Sequence, residues 1–185
     1  MFERLIGIAT FKAPVYREVA EDKSAMSTAA AIVVIMAIIG GFASKLFDGQ
    51  GNTLFAIAVT SAILSIPVSL INWGVSSWVL AKVAGMFGGK TDTSEMLRVT
   101  GFVYIFTAVN LIGLLTGVSV TLACVLAPLY FVAALLMIIG NLIGVREAAE
   151  FSTGNAIVTS IIAGIASFII TSIGQAILGF ITSMF

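Results

Sequence analysis

The sequence predicts an all-α integral membrane protein with five transmembrane helices, preceded by short amphipathic N-terminal helices and with a cytoplasmic N-terminus. Of its 185 residues, 59% are apolar and 10% are charged, and the mean hydropathy is +1.15. Soluble domains carry about 25% charged residues, so most of this chain is suited to lipid. Apolar stretches long enough to cross a bilayer recur along the chain, and the Lys and Arg residues collect on one side of them.

Residues 1–24 are predicted to form an interfacial amphipathic segment, because their apolar runs are too short to span a membrane. Phe2, Leu5 and Ile6 recur at three- and four-residue steps, which places them on one side of a helix. Pro14 then begins a second short helix, where proline is favoured in the first turn. We expect both helices to lie at the membrane interface. Packing of the segment on cytoplasmic loops is the alternative.

The five spanning helices follow from apolar length and from the turn residues between them. The second is longer than a hydrocarbon core of about 30 Å requires, so we expect it to tilt, to kink at Pro67 or to project from the bilayer. Ser24 is expected to cap the first span, and Ser94 to open the third. The predicted transmembrane domain, 25–185, comprises spans at 25–46, 53–85, 94–115, 118–144 and 154–184.

The basic residues predict the orientation. With five spans, the N-terminal segment shares one side with the elbow (residues 82–98) and with the last loop, 145–153. Eight of the nine Lys and Arg residues fall on that side, and Lys45 alone falls on the other. Because basic residues are retained in the cytoplasm, the N-terminus is expected inside and the C-terminus outside. The eight are Arg4, Lys12, Arg17, Lys23, Lys82, Lys90, Arg98 and Arg146.

Three uncharged polar residues are the candidates for an intramembrane site: Asn72, Asn110 and Gln175. No charged residue falls at mid-membrane, where a charge would point to a transport or relay site. The three polar side chains can form hydrogen bonds between helices, worth about 1 kcal/mol each in lipid. They can also line a substrate site. Both interpretations stay open at this point.

A second candidate group is a cytoplasmic charge cluster of Lys82, Glu95, Arg98, Arg146 and Glu147. The third and fourth spans are expected to form a tight hairpin, since hardly any loop separates them. The charges at the open end of this hairpin then lie at one membrane face. We expect Arg146 to pair with Glu95, or Arg98 with Glu147, as an interfacial clamp. Lys82, near its helix end, is expected to extend to the interface.

Small residues recur every four positions, as at Gly140 and Gly144, and such spacing favours a compact bundle or a homo-oligomer. Catalytic, cofactor and metal sites are not predicted. Histidine is absent, Cys124 is the single cysteine, and no GxxxxGK[ST], HExxH, GxSxG or CxxC motif occurs. Nine basic residues balance nine acidic ones, so no net charge favours nucleic acid. The expected partners are the lipid bilayer, a second copy of the chain and a cytoplasmic protein.

Three stretches, PVYREVAEDKS, WVLAKVAGMFGGKTDTSEMLRVTGF and GVREAAEFSTGNAI, resemble the Yip1-domain family of multi-pass membrane proteins. The resemblance implies a cytoplasmic N-terminal segment followed by five spanning helices. Eukaryotic members are associated with Rab-type GTPases and vesicle traffic. This chain lacks their long N-terminal region and their Asp-Leu-Tyr-Gly-Pro-type signature, so GTPase binding is not carried over to any residue. Its brevity resembles prokaryotic members, which implies the cytoplasmic (inner) membrane.

The expected function is that of a non-enzymatic membrane protein that organises or shapes the membrane or scaffolds partners. The alternative is a transporter or permease for a small uncharged or lipid-like solute. A cavity lined by the polar intramembrane residues would favour the alternative, and a dry, tightly packed bundle would favour the first function.

Overall fold

The computed structural model describes residues 2–48, 52–116 and 118–182, together with their side chains except at six positions in the last helix. The chain is 85% helical, and the described residues contain no strand. An isolated antiparallel bridge joins Phe47 to Thr53. The six undescribed side chains are those of Ser167, Thr171, Gln175, Leu178, Ile181 and Thr182.

Five stretches are long and apolar enough to cross a membrane, which confirms the predicted number of spans and makes the chain a multi-pass membrane protein. They are Ala25–Ala43, Phe55–Met86, Thr93–Thr116, Val120–Ala149 and Thr153–Gly174. The helices are α1 (Phe2–Ala9), α2 (Ala13–Glu21), α3 (Ala25–Ala43), α4 (Phe55–Met86), α5 (Thr93–Val103), a 3-10 helix (Tyr104–Ile112), α6 (Gly113–Thr116), α7 (Val120–Ala149) and α8 (Thr153–Thr182).

Two spans differ from their predicted form. The third was predicted as one α-helix, but it changes to a 3-10 helix at Tyr104 and returns to an α-helix at Gly113. The fourth was predicted to end at Gly144, yet α7 continues to Ala149. Val145, Ala148 and Ala149 are buried, so packing extends the helix past the charged residues.

The predicted helix starts need a related correction. Ser24 makes no side-chain cap to α3; its own amide and hydroxyl donate to the Asp22 carboxylate, at 2.8 and 2.7 Å. Asp92, rather than Ser94, caps α5 and accepts from the Glu95 amide at 2.8 Å. The Glu95 carboxylate accepts from the Asp92 amide in return, which forms a capping box.

The core lies at the end of the bundle that carries α1, α2 and the elbow, called here the elbow end. Tyr16, Phe102, Ile8 and Met96 are among the largest side chains that are fully buried. α4 is central and contacts α3, α5, α7 and α8. At the opposite end, called the Lys45 end, no residue of the 3-10 helix or of α6 is buried. The packing is therefore densest around the N-terminal helices and looser across the rest of the third span.

Candidate functional site

The N-terminal helices are packed into the bundle. Ile8, Tyr16 and Val19 have no exposed surface, and α2 contacts both α5 and α7. The buried Tyr16 hydroxyl donates to the Ile8 carbonyl at 2.9 Å, which ties α2 to the end of α1. Between these helices Phe11 takes a left-handed backbone conformation, and its ring stacks on that of Phe106 at 5.6 Å. Contacts with α5 and α7 therefore hold the inner face of this segment, while its predicted place at the membrane interface stays a prediction.

Gly140 and Gly144 make room for this packing. A Cβ atom on Gly144 would lie 2.5 Å from Val99 Cγ1 and 3.4 Å from Tyr16 Cδ1. A Cβ atom on Gly140 would lie 2.9 Å from Phe106 Cε2. Within one chain, α2 and the third span thus pack against the GxxxG pair of α7. This pair is therefore not available for contact with a second copy.

Arg98 anchors α2 to α5. It is only 4% exposed, and its Nε donates to the Ala20 carbonyl at 2.8 Å. Nη2 donates to the same carbonyl, and Nη1 donates to Ser94 Oγ at 3.2 Å. Ala20 lies in the last turn of α2, where carbonyls lack helical partners and a cation is favourable. Arg98 thus caps the C-terminal end of α2.

The predicted clamp between the third and fourth spans is wrong. Arg98 donates to the Ala20 carbonyl, and Glu95 takes part in the N-terminal capping box of α5. Arg146 pairs with its neighbour Glu147 at 2.7 Å, in the same helix. The reason is that α2 packs on both α5 and α7, so a carbonyl of its last turn meets Arg98 where a carboxylate was expected. Lys82 is exposed, which is compatible with its expected position at the interface.

Charged pairs join α1 to α2. Arg4 Nε donates to Glu18 at 2.9 Å, and its Nη1 donates to Asp22 at 2.6 Å. Hydrogen bonds from Ser24, and then from Arg4, lower the pKa of Asp22 to about 2. The same two carboxylates raise the pKa of Arg4. This charge arrangement favours a fixed geometry between the two short helices.

The three regions that carry the basic residues meet at the elbow end. Arg17 of α2 bonds to Glu150, just after α7, and the Glu150 hydrogen bond raises the pKa of Arg17. The Lys90 amide donates to the Ala149 carbonyl at 2.9 Å, which joins the elbow to the end of α7. Lys45 lies at the other end of α3. The structure therefore places these regions together, as the orientation argument requires.

One edge of α1 remains uncovered. Phe2 is 76% exposed and Ile6 is 47% exposed, whereas Ile8 is fully buried. Leu5 is half-buried between these faces. The predicted apolar face is thus divided, so that α1 packs one side on the bundle and presents Phe2 and Ile6 outward.

A polar cavity of about 520 Å³ lies between α3, α4 and the 3-10 helix, toward the Lys45 end. At its wall, Ser65 Oγ donates to the Ala37 carbonyl of α3 at 2.7 Å. Gly41 lets the helices approach, since a Cβ atom there would lie 2.6 Å from Ser65 Oγ. Its polar side chains are those of Ser44, Lys45, Ser61, Ser65, Ser69, Tyr104, Thr107 and Asn110.

The 3-10 helix explains how three of these side chains reach the cavity. Tyr104, Thr107 and Asn110 are three residues apart, and all three line the cavity. A 3-10 helix has three residues per turn, so it aligns such residues in one column, whereas in an α-helix each step of three falls about 60° short of a full turn. The spacing of three was visible in the sequence, but we predicted only Asn110, as an uncharged polar residue in an apolar stretch.

A second cavity of about 260 Å³ lies toward the elbow end, between α4, α5, α7 and α8. Trp73 Nε1 donates to Thr100 Oγ1 at 3.1 Å, and the hydroxyls of Ser77 and Thr100 are 2.9 Å apart. Asn141 donates to the Met137 carbonyl of its own helix at 3.0 Å. The cavity is lined by apolar and uncharged polar side chains, an arrangement typical of small-molecule sites.

The predicted site residues are divided between the two cavities. Asn110 lines the first and Asn72 lines the second, so the two do not converge on one space. Tyr104, which we did not predict, lines both, and Asn72 Nδ2 donates to its hydroxyl oxygen at 3.4 Å. The Gln175 side chain lies outside the described residues, so its predicted role stays a prediction.

No family model, curated protein or solved structure matches this chain. Within residues 2–48, 52–116 and 118–182, no group of His, Cys, Asp or Glu side chains could hold a metal ion. The fold and the cavities thus define a helical multi-pass membrane protein with a docked N-terminal segment and two cavities between its helices, both of which contain uncharged polar side chains.

Proposed function

We propose that this chain is a Yip1-like membrane protein that organises or shapes the cytoplasmic leaflet of a prokaryotic inner membrane. The observation that carries the proposal is the position of α1, which is fixed to the bundle on one side and presents Phe2 and Ile6 on the other. With the N-terminus inside, this edge lies at the cytoplasmic interface. It then acts as a rigid apolar wedge in one leaflet.

Apolar burial is the main force that would hold the edge in lipid. Full burial of a Phe or Ile side chain contributes roughly 1.5–3 kcal/mol, and Phe2 and Ile6 leave 76% and 47% of their surface uncovered. Lys12 is exposed and can add about 1 kcal/mol at an anionic surface. Arg4 contributes less, because it is paired with Glu18 and Asp22.

The docking of the segment gives this insertion a mechanical consequence. A loosely tethered amphipathic helix can enter and leave the interface without moving the protein. Here the Tyr16 hydroxyl ties α2 to α1, Arg98 ties α2 to α5, and α2 also packs on α7, so insertion is coupled to the position of the whole bundle. Displacement of head groups in one leaflet only is an asymmetry that favours membrane curvature.

The experiment compares vesicle shape with and without the apolar edge. Purified protein is reconstituted at increasing protein-to-lipid ratios, and vesicle diameters are measured by electron cryomicroscopy. Wild-type protein should shift the distribution toward small vesicles or tubules, and Phe2→Ser with Ile6→Ser should abolish the shift. Glu3→Ser with Thr10→Ser is the matched control, since both residues are exposed and polar. Equal diameters for wild-type and Phe2/Ile6 variants, at equal insertion, would contradict the proposal.

The polar cavities favour a second candidate function, the passage of a small uncharged solute. A bundle that served only as a scaffold would gain stability by filling its interior with apolar side chains. Here two spaces of about 520 and 260 Å³ remain, and hydroxyl and amide groups lie among the apolar side chains of their walls. This function does not exclude the first, because the cavities and the α1 edge use different surfaces.

A further inference from the structure

One face of α4 is polar along about half of the helix. Ser61, Ser65, Ser69, Asn72 and Ser76 follow one another at steps of four or three residues, which keeps them on one side of the helix. At about 1.5 Å per residue this face extends over roughly 22 Å, against a hydrocarbon core of about 30 Å. Ser61, Ser65 and Ser69 line the first cavity. Asn72 and Ser76 line the second. The two cavities are therefore consecutive along the same helix.

The third span supplies the facing wall. Thr100 lines the second cavity, Thr107 and Asn110 line the first, and Tyr104 lies between them and lines both. At this point Asn72 Nδ2 meets the Tyr104 hydroxyl at 3.4 Å. The cavities are thus separated where a side chain of α4 contacts a side chain of the 3-10 helix. A 3-10 stretch inside a helix often marks a hinge, and this contact lies at the start of one, at Tyr104.

The cavity walls contain hydrogen-bonding groups that the described part of the chain leaves unused. Ser160 lines the second cavity, and its Oγ is shielded from solvent and has no partner among the described residues. The Asn110 amide in the first cavity is half-buried and is likewise unpaired within the described chain. A buried polar group without a partner is destabilising, so such positions call for a polar occupant.

We propose that the two cavities are the halves of one polar path, which the Asn72–Tyr104 contact closes, and that its ligand is a small uncharged polar molecule. Lys45, at the outer mouth, is the one charged residue among the described residues that line either cavity. An ion would lack a counter-charge along the rest of the path, where a charge is costly. A neutral polyol or amide matches hydroxyl and amide walls. The inference rests on the second candidate function.

Cysteine labelling tests the path directly. Cys124 is exposed, so it is first replaced by Cys124→Ala. Ser65→Cys then reports on the first cavity, Ser76→Cys on the second, and Ile71→Cys, 60% exposed on the outer surface of α4, is the matched control. A charged, membrane-impermeant methanethiosulfonate is added to one side of sealed vesicles. It reacts only with thiols that water reaches.

The expected labelling depends on the side of the membrane to which the reagent is added. Ser65→Cys should label from the Lys45 side at least ten-fold faster than Ile71→Cys, and Ser76→Cys should label from the elbow side only. Asn72→Ala, which removes the contact with Tyr104, should make Ser76→Cys label from the Lys45 side as well. Tyr104→Phe removes only the hydroxyl and is the second gate variant, should Asn72→Ala fail to fold. Labelling of Ser65→Cys and Ser76→Cys no faster than Ile71→Cys would overturn the path.

A flux measurement distinguishes failure of the proposed path from failure of the second candidate function, solute passage. Proteoliposomes are exposed to glycerol or urea gradients, and their volume is followed by light scattering. Asn72→Ala should raise glycerol entry several-fold above that of protein-free vesicles, and adding Ser69→Trp should remove the increase, whereas Ile71→Trp should not. If the labelling pattern holds but neither solute enters faster than in protein-free vesicles, solute passage is refuted and the gated cavities stand.

Discussion

Replacing Arg98 by methionine should release the N-terminal helices without unfolding the bundle. Methionine keeps most of the buried stem but loses the donors to Ala20 and Ser94. Hydrogen bonds to charged groups contribute about 1.5–3 kcal/mol each, and an unsatisfied carbonyl costs about 1–3 kcal/mol. Removing a buried charge from a nonpolar site recovers part of this loss. We therefore expect a net loss of about 2 kcal/mol in docking, which is roughly a 30-fold change in the opening equilibrium.

Amide hydrogen exchange of the protein in lipid nanodiscs measures this opening. In Arg98→Met, amides of α2 should exchange about 30-fold faster, because exchange follows the population of the open segment. Amides of α8 should be unaffected. Arg146→Met is the matched control, since Arg146 pairs only with the adjacent Glu147 and should change exchange little. Unchanged exchange in α2 of Arg98→Met would refute the anchoring role of this residue.

Three further predictions concern packing, pH and topology. Gly144→Val should destabilise the protein by about 1–3 kcal/mol in a thermal melt in detergent, whereas Gly74→Val, which meets no neighbouring atom within 4 Å, should not overpack. The pKa of Asp22 is lowered from 3.8 to about 2, so its contribution to docking should be complete above about pH 4 and be lost as the pH falls toward 2. This loss should appear as faster amide exchange in α1. With Cys124→Ala, Asn52→Cys should label from outside intact cells and Thr91→Cys should not; the reverse pattern would contradict the N-inside topology.

The number and approximate place of the spans could be predicted, because a helix in lipid needs a long apolar stretch whatever its neighbours are. The ends of the helices were harder to predict. Charge made Val145–Ala149 look like a loop, but the burial of Ala148 and Ala149 against other helices keeps this stretch helical. The caps also differ from the prediction, since Ser24 donates to Asp22 and caps no amide of α3, and Asp92 accepts from the Glu95 amide at the start of α5.

The candidate site could be predicted only in part. Asn72 and Asn110 are unusual enough in apolar helices to be found from sequence alone. Their separation into two cavities depends on Tyr104 and on the 3-10 winding that brings Thr107 into line, and no local residue type signals that change of helix. Likewise, the partner of Arg98 is a backbone carbonyl of α2, which pairing rules between opposite charges cannot identify.

The most direct test of the account asks where the exposed edge of α1 lies. A fluorophore is attached through Phe2→Cys in a Cys124→Ala background, and nitroxide lipids that carry the quencher at different depths are mixed into the vesicles. Thr10→Cys, exposed and polar, is the matched control. The account predicts that shallow acyl-chain nitroxides quench position 2 several-fold more strongly than position 10. Equal and weak quenching at both positions, with α1 still protected from exchange, would place the edge in water and contradict the proposal that this segment acts on the membrane.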